Sequence, residues 1–97
     1  MDKSKYVINL DRERTLKYDY NALALAEKET GKNLLTDLAS LKTLRVTDLR
    51  ALLWAGLLHE DSALTVEAAG SLLKPSNTGL VVKAVIAGLN DFFGEKS

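Results

Sequence analysis

The chain has 97 residues, and its thirteen Lys and Arg balance thirteen Asp and Glu, so the formal net charge is zero. With 46% hydrophobic and 27% charged residues, one proline and no cysteine, the composition excludes a disordered chain, a disulfide framework and thiolate metal chemistry. Zero net charge removes the attraction that drives most non-specific binding to nucleic acid or anionic membranes, and it weakens the repulsion that keeps copies apart.

A chain this long makes one domain, residues 1–97, which buries roughly 60% of the surface its unfolded form exposes. The N-terminus MDKSKYVINLDRER has no sustained apolar run of the signal-peptide kind, and nowhere do the roughly 20 consecutive apolar residues of a membrane span occur. A soluble protein living in the cytosol, free of membrane and nucleic acid and prone to self-association, is the expectation.

Residues Tyr6 to Leu10 alternate, with Tyr6, Ile8 and Leu10 on one side, and Arg14 to Tyr18 alternate again after the polar turn Asp11 to Glu13, with Leu16 and Tyr18 facing one way. This reads as a β-hairpin over residues 1–18. Two strands are marginal alone, so the hairpin must lie on helices or pair with another chain, and its free edge is a candidate for assembly.

The helical part, residues 19–93, begins with Asp19 as cap of a helix from Tyr20 to Thr30, in which Leu23 and Leu25 sit among alanines and which Gly31 ends. Asn33 caps a short second helix, whose Leu34, Leu35, Leu38 and Leu41 fall at helical spacing. Thr47 is expected to cap a third helix from Asp48 to about His59. Its Leu49, Ala51, Leu52, Leu53, Trp54, Ala55, Leu57 and Leu58 wrap nearly the whole circumference, where a surface helix carries one stripe. Such a helix is either central or partnered.

A fourth helix, Val66 to Leu73, opens at Thr65 and stops before Pro75, which cannot continue the hydrogen-bond ladder. The fifth runs from Thr78 to Phe93 with Val82, Val85, Ile86, Leu89 and Phe93 on one stripe, while Leu80, Val81, Ala84 and Phe92 widen it beyond one packing face. Residues 94–97 form a polar tail. The fold class is mainly α with a short N-terminal hairpin, an α+β bundle of about five helices.

Few residues offer chemistry. His59, the only histidine, sits in the HED triplet at a helix end without a second ligand at the i+3 or i+4 spacing of helical metal sites, and Glu60 and Asp61 read as loop acids. No cofactor, metal or catalytic constellation is expected, and the chain is read as an interaction protein rather than an enzyme. Gly56 lies inside the strongest helix, where glycine costs about 1 kcal/mol relative to alanine, so a close neighbour should sit there, most simply from the same chain. Trp54 is core or interface anchor, with core favoured. RVTDLRALLWAGLL could be taken for part of a helix-turn-helix reader, but beyond Arg50 it presents almost no polar side chain to bases or phosphates, and Arg12 and Arg14 alternate with Asp11 and Glu13.

In this arrangement the sequence resembles the tail assembly chaperones of long-tailed bacteriophages and related prophages. YDYNALALAEKETGKNLL resembles that family's aromatic-flanked first helix ending at a TGxN-like break, and LRALLWAGLLHEDSALTVEAAGSLL is similar to its LLWAGL core with an acidic turn and an LTxExxG segment. These stretches lie between Tyr18 and Leu73 and together make up 43 of the 97 residues. The resemblance implies a small protein that binds the tape measure protein and keeps it soluble in the host bacterial cytoplasm. It also implies help in recruiting tail tube protein, in some phages through a longer frameshifted form, and absence from the mature virion. On this reading Leu53, Trp54, Leu57, Leu58, Leu80, Val81, Val85 and Phe92 include the partner-binding surface. The alternatives are a small DNA-binding regulatory or antitoxin-like protein, which salt-dependent retention on DNA would reveal, and a small enzyme, which would need a pocket of convergent polar groups.

Overall fold

The computed structural model describes residues 7–31 and 45–94. Strands β1 (Val7–Asn9) and β2 (Glu13–Thr15) form an antiparallel hairpin with Val7 opposite Thr15, Ile8 opposite Arg14 and Asn9 opposite Glu13. Asp11 shapes the turn: one carboxylate oxygen accepts the Arg12 N–H and the Arg14 Nε–H, and the other accepts from Arg14 Nη2, each at 2.9 Å. Within the described residues the expected alternation is present, with Ile8, Leu16 and Tyr18 buried, although the second strand ends at Thr15 and Tyr6 lies outside the described residues.

Helix α1 (Tyr20–Thr30) has the expected bounds. The Asp19 side chain accepts the Ala22 N–H at 2.8 Å, and Gly31 ends the helix at φ 72°, a left-handed conformation that glycine adopts without a Cβ penalty. Asp19→Ala is expected to cost about 1 kcal/mol in a thermal melt, with the fold otherwise retained. Ala22, Leu23, Ala26 and Thr30 face inward. Leu25, grouped with Leu23 in the sequence reading, is exposed, since two helical residues stand about 200° apart.

Helix α2 (Val46–Leu57) starts two residues before the expected point, with Arg45 and not Thr47 at the cap position. The reason is Asp48, whose buried carboxylate reaches back one turn to accept the Arg45 N–H at 3.0 Å and pairs with the Arg45 guanidinium at 3.0 Å. That hydrogen-bonded ion pair also raises the pKa of Arg45. Arg45 Nη2 donates in addition to the Thr30 carbonyl at the end of α1, tying the two helices together. The helix ends at Leu57 rather than His59, and the Leu57 carbonyl takes the N–H groups of Glu60 and Asp61.

Helix α3 (Val66–Leu72) opens on Thr65, whose hydroxyl accepts the Ala68 N–H at 3.0 Å, and stops one residue short of the expected end. Helix α4 (Thr78–Phe93) has the expected bounds. Before it, the Asn77 side chain accepts the Lys74 N–H and donates to the Leu72 carbonyl, both at 2.9 Å, so Asn77 stitches the Pro75 loop instead of capping α4. The inward stripe of α4 is Val81, Ala84, Val85, Gly88 and Leu89. This is rotated from the expected one: Val82, Ile86 and Phe93 fall on its half-buried flank, and Val81 and Ala84, read as surplus width, lie in the core.

The described residues carry four helices, and the fifth expected one, at Leu34 to Leu41, lies outside them. Helix α2 is the axis of the arrangement. It packs against α1, α3, α4 and β2, with Leu49, Ala51, Leu52, Leu53, Ala55 and Leu57 all buried. Of the two roles its apolar circumference permits, central or partnered, the packing satisfies the first.

Candidate partner-binding surface

The eight residues singled out in the sequence divide into two groups. Leu53 and Leu57 of α2, with Val81 and Val85 of α4, are fully buried and present no surface in this conformation. Trp54, Leu58 and Phe92 are half-buried, and Leu80 is 61% exposed. Helical periodicity explains the division, because the stripe centres on both helices coincide with the strongest apolar positions, so the residues that look most like anchors are the ones the core takes.

Trp54 is a strut as well as a packing group. Its indole Nε1–H donates to the Leu64 carbonyl at 2.8 Å, holding the loop between α2 and α3 against the helix while part of the ring stays accessible. Phe92 belongs to an aromatic group joining the start of α1 to the end of α4. The Tyr20 ring meets Phe92 edge-on at 5.1 Å, and Phe92 meets Phe93 at 5.2 Å. Tyr20, the first residue of α1 and part of the aromatic flank of that helix, is 65% exposed. The signal available was an aromatic at the first turn of α1, where the inward stripe had not yet begun.

The HED triplet meets the hairpin. His59 Nε2 lies 2.6 Å from the Thr15 carbonyl, and Glu60 Oε2 accepts the Thr15 N–H at 3.1 Å, so two adjacent side chains occupy both backbone groups of one residue on the outer edge of β2. The neighbour expected at Gly56 is intramolecular. A Cβ there would stand 2.9 Å from Leu16 Cδ2 and from the Tyr18 ring and hydroxyl, and the Lys17 N–H donates to the Gly56 carbonyl at 3.0 Å. The Tyr18 hydroxyl donates to the Leu52 carbonyl at 2.7 Å, and burial raises its pKa, keeping the phenol in its donating form.

Arg14 shares the inward side of the hairpin with Leu16 and Tyr18, which the two-residue period implies but the sequence reading left unused. Its hydrogen bonds to Asp11 hold that exposed carboxyl below its ordinary pKa and raise the guanidinium's own. Among the described residues no three His, Cys, Asp or Glu side chains gather as a metal cluster would require, and no helix is long and apolar enough to cross a membrane. Compared with known proteins, the chain matches no family model, no curated protein and no solved structure.

Proposed function

We propose that this chain is a tail assembly chaperone of a long-tailed bacteriophage, which binds the tape measure protein, keeps it soluble and helps bring tail tube protein to it in the host bacterial cytoplasm. The observation that carries the reading is the aromatic group Tyr20, Phe92 and Phe93, with Tyr20 largely exposed on a small domain of zero net charge. Aromatic side chains supply large contact area and are enriched among residues that dominate binding energy. The same segment carries the resemblance to the family's aromatic-flanked first helix, and the LLWAGLLHED stretch has defined structural duties that account for its composition. Exposed Leu80 adds apolar surface at the other end of α4.

A long, exposed helical protein needs many copies of a small binder with accessible apolar groups, and that is the chemistry assigned to this surface. Leu80→Gln is expected to leave the melting temperature within a few degrees of wild type, since surface substitutions rarely change stability by more than about 0.5 kcal/mol. It should nevertheless reduce partner retention. The test of the function is co-expression with the tape measure protein of the same phage, reading its soluble yield and co-purification. A tape measure protein that becomes soluble and co-purifies supports the proposal, and one that stays insoluble beside folded, partnerless chaperone overturns it.

A further inference from the structure

The hairpin has two outer edges, and the rest of the chain treats them differently. Thr15 turns its N–H and carbonyl away from β1, where Glu60 and His59 take them. Residues opposite one another in an antiparallel pair face the ladder or face away from it together, so Val7, the partner of Thr15, also points its backbone groups outward. The opposed residues Asn9 and Glu13 do the same, and the Leu10 N–H, bonded to the Arg12 carbonyl across the turn, fits this phase. On the β2 side the end of α2 closes the edge, because the Lys17 N–H is taken by the Gly56 carbonyl while the HED triplet holds Thr15. Glu13, next along that edge, is charged and exposed. On the β1 side, among the described residues, nothing pairs with the outward N–H and carbonyl of Val7 and Asn9, and the Asn9 side chain is exposed. The strand VIN also lacks the charged residue or proline with which sheets guard an open edge.

We infer that the β1 edge docks a second copy of this chain, antiparallel about a twofold axis at Ile8, and that His59 and Glu60 keep the β2 edge out of such pairing. On that axis Val7 lies opposite Asn9 of the second copy, so the outward N–H and carbonyl of each meet those of the other, as in any bonded antiparallel pair. A second copy is the occupant that the edge itself specifies, because an antiparallel strand paired with its own twofold image makes an isologous contact. The formal net charge of zero leaves no net repulsion between copies. Two three-residue strands are also marginal alone, and a sheet shared between copies relieves that. The guard on β2 then decides where assembly stops. With one edge sealed by the end of α2, pairing at β1 uses up the only other edge of the sheet, so growth ends at a dimer rather than running on as a fibre. The dimer needs no tape measure protein and stands or falls apart from the proposed function.

Sedimentation equilibrium of the full chain, alone, at roughly 10 to 100 µM tests the edge, since an interface of micromolar affinity is largely filled over that range. The expected mass is twice the chain's 10.6 kDa. Asn9→Pro removes an outward N–H that the hairpin itself does not use, and Asn9→Lys keeps the N–H but sets a charge on the edge. Each should halve the mass while melting within a few degrees of the wild type. The Val7 amide should exchange about tenfold faster in Asn9→Lys than in the wild type, while the Glu13 amide, on the other edge, should exchange alike in both. The His59→Ala, Glu60→Ala double variant frees Thr15 and leaves the Lys17 bond and the buried hairpin side chains in place, and it should form species larger than the dimer. A monomeric wild type, a folded Asn9→Lys variant that stays dimeric, equal Val7 exchange in the two, or a folded double variant that stops at the dimer overturns the proposal.

Discussion

Truncating Leu53 to alanine is expected to destabilise the protein by about 2 to 5 kcal/mol, the cost of lost burial plus the cavity left behind. Leu53 is fully buried on α2, with Leu49, Leu52 and Leu57 close by on the same helix and the other elements packed around it. For a domain of this size a loss of 1 kcal/mol moves the melting temperature by roughly 4 to 8 °C, so a thermal melt followed by circular dichroism reads the effect directly. A Leu53→Ala variant that melts like the wild type would contradict the central position of α2.

The second large effect is expected at Gly56. Alanine there would gain about 1 kcal/mol of helix propensity but would set its Cβ 2.9 Å from three atoms of Leu16 and Tyr18. The Tyr18 ring cannot retreat freely, because its hydroxyl is anchored to the Leu52 carbonyl in a buried bond. Gly56→Val adds two further methyl groups against the same wall and is expected to cost about 1 to 3 kcal/mol. The loss should concentrate in the hairpin, so Lys17 exchange should rise more than exchange inside α2. A valine variant as stable as the wild type would mean that the hairpin does not sit on Gly56.

How much of this was legible in the sequence varied with the strength of the local signal. The first helix was readable to the residue because Asp19 and Gly31 each act on the backbone within a turn. The start of α2 was misplaced because Thr47 is the more familiar cap, whereas the stronger device was Asp48 reaching backwards to Arg45. The HED triplet could not be interpreted alone, since its partner, Thr15, lies 44 residues away along the chain. Gly56 announced a close neighbour but not which one. The division of apolar residues between core and surface was the least legible, because hydrophobicity sets how much surface is buried and the packing of neighbouring elements sets which.

The candidate surface follows from that same packing. With Leu53, Leu57, Val81 and Val85 enclosed, the large apolar groups accessible to a partner among the described residues are Tyr20, Leu25, Val46, Leu80 and the outer parts of half-buried side chains such as Phe92, Trp54 and Leu58. On the proposed function, these peripheral groups make the first contact with the tape measure protein, while α2 holds the fold. The most direct measurement is co-purification of the tape measure protein with the Tyr20→Ser, Leu80→Gln double variant, with melts on the same preparations. The account predicts a double variant that melts within about 10 °C of the wild type, allowing for one lost ring contact, and no longer retains the partner. Undiminished retention by the folded double variant would contradict it.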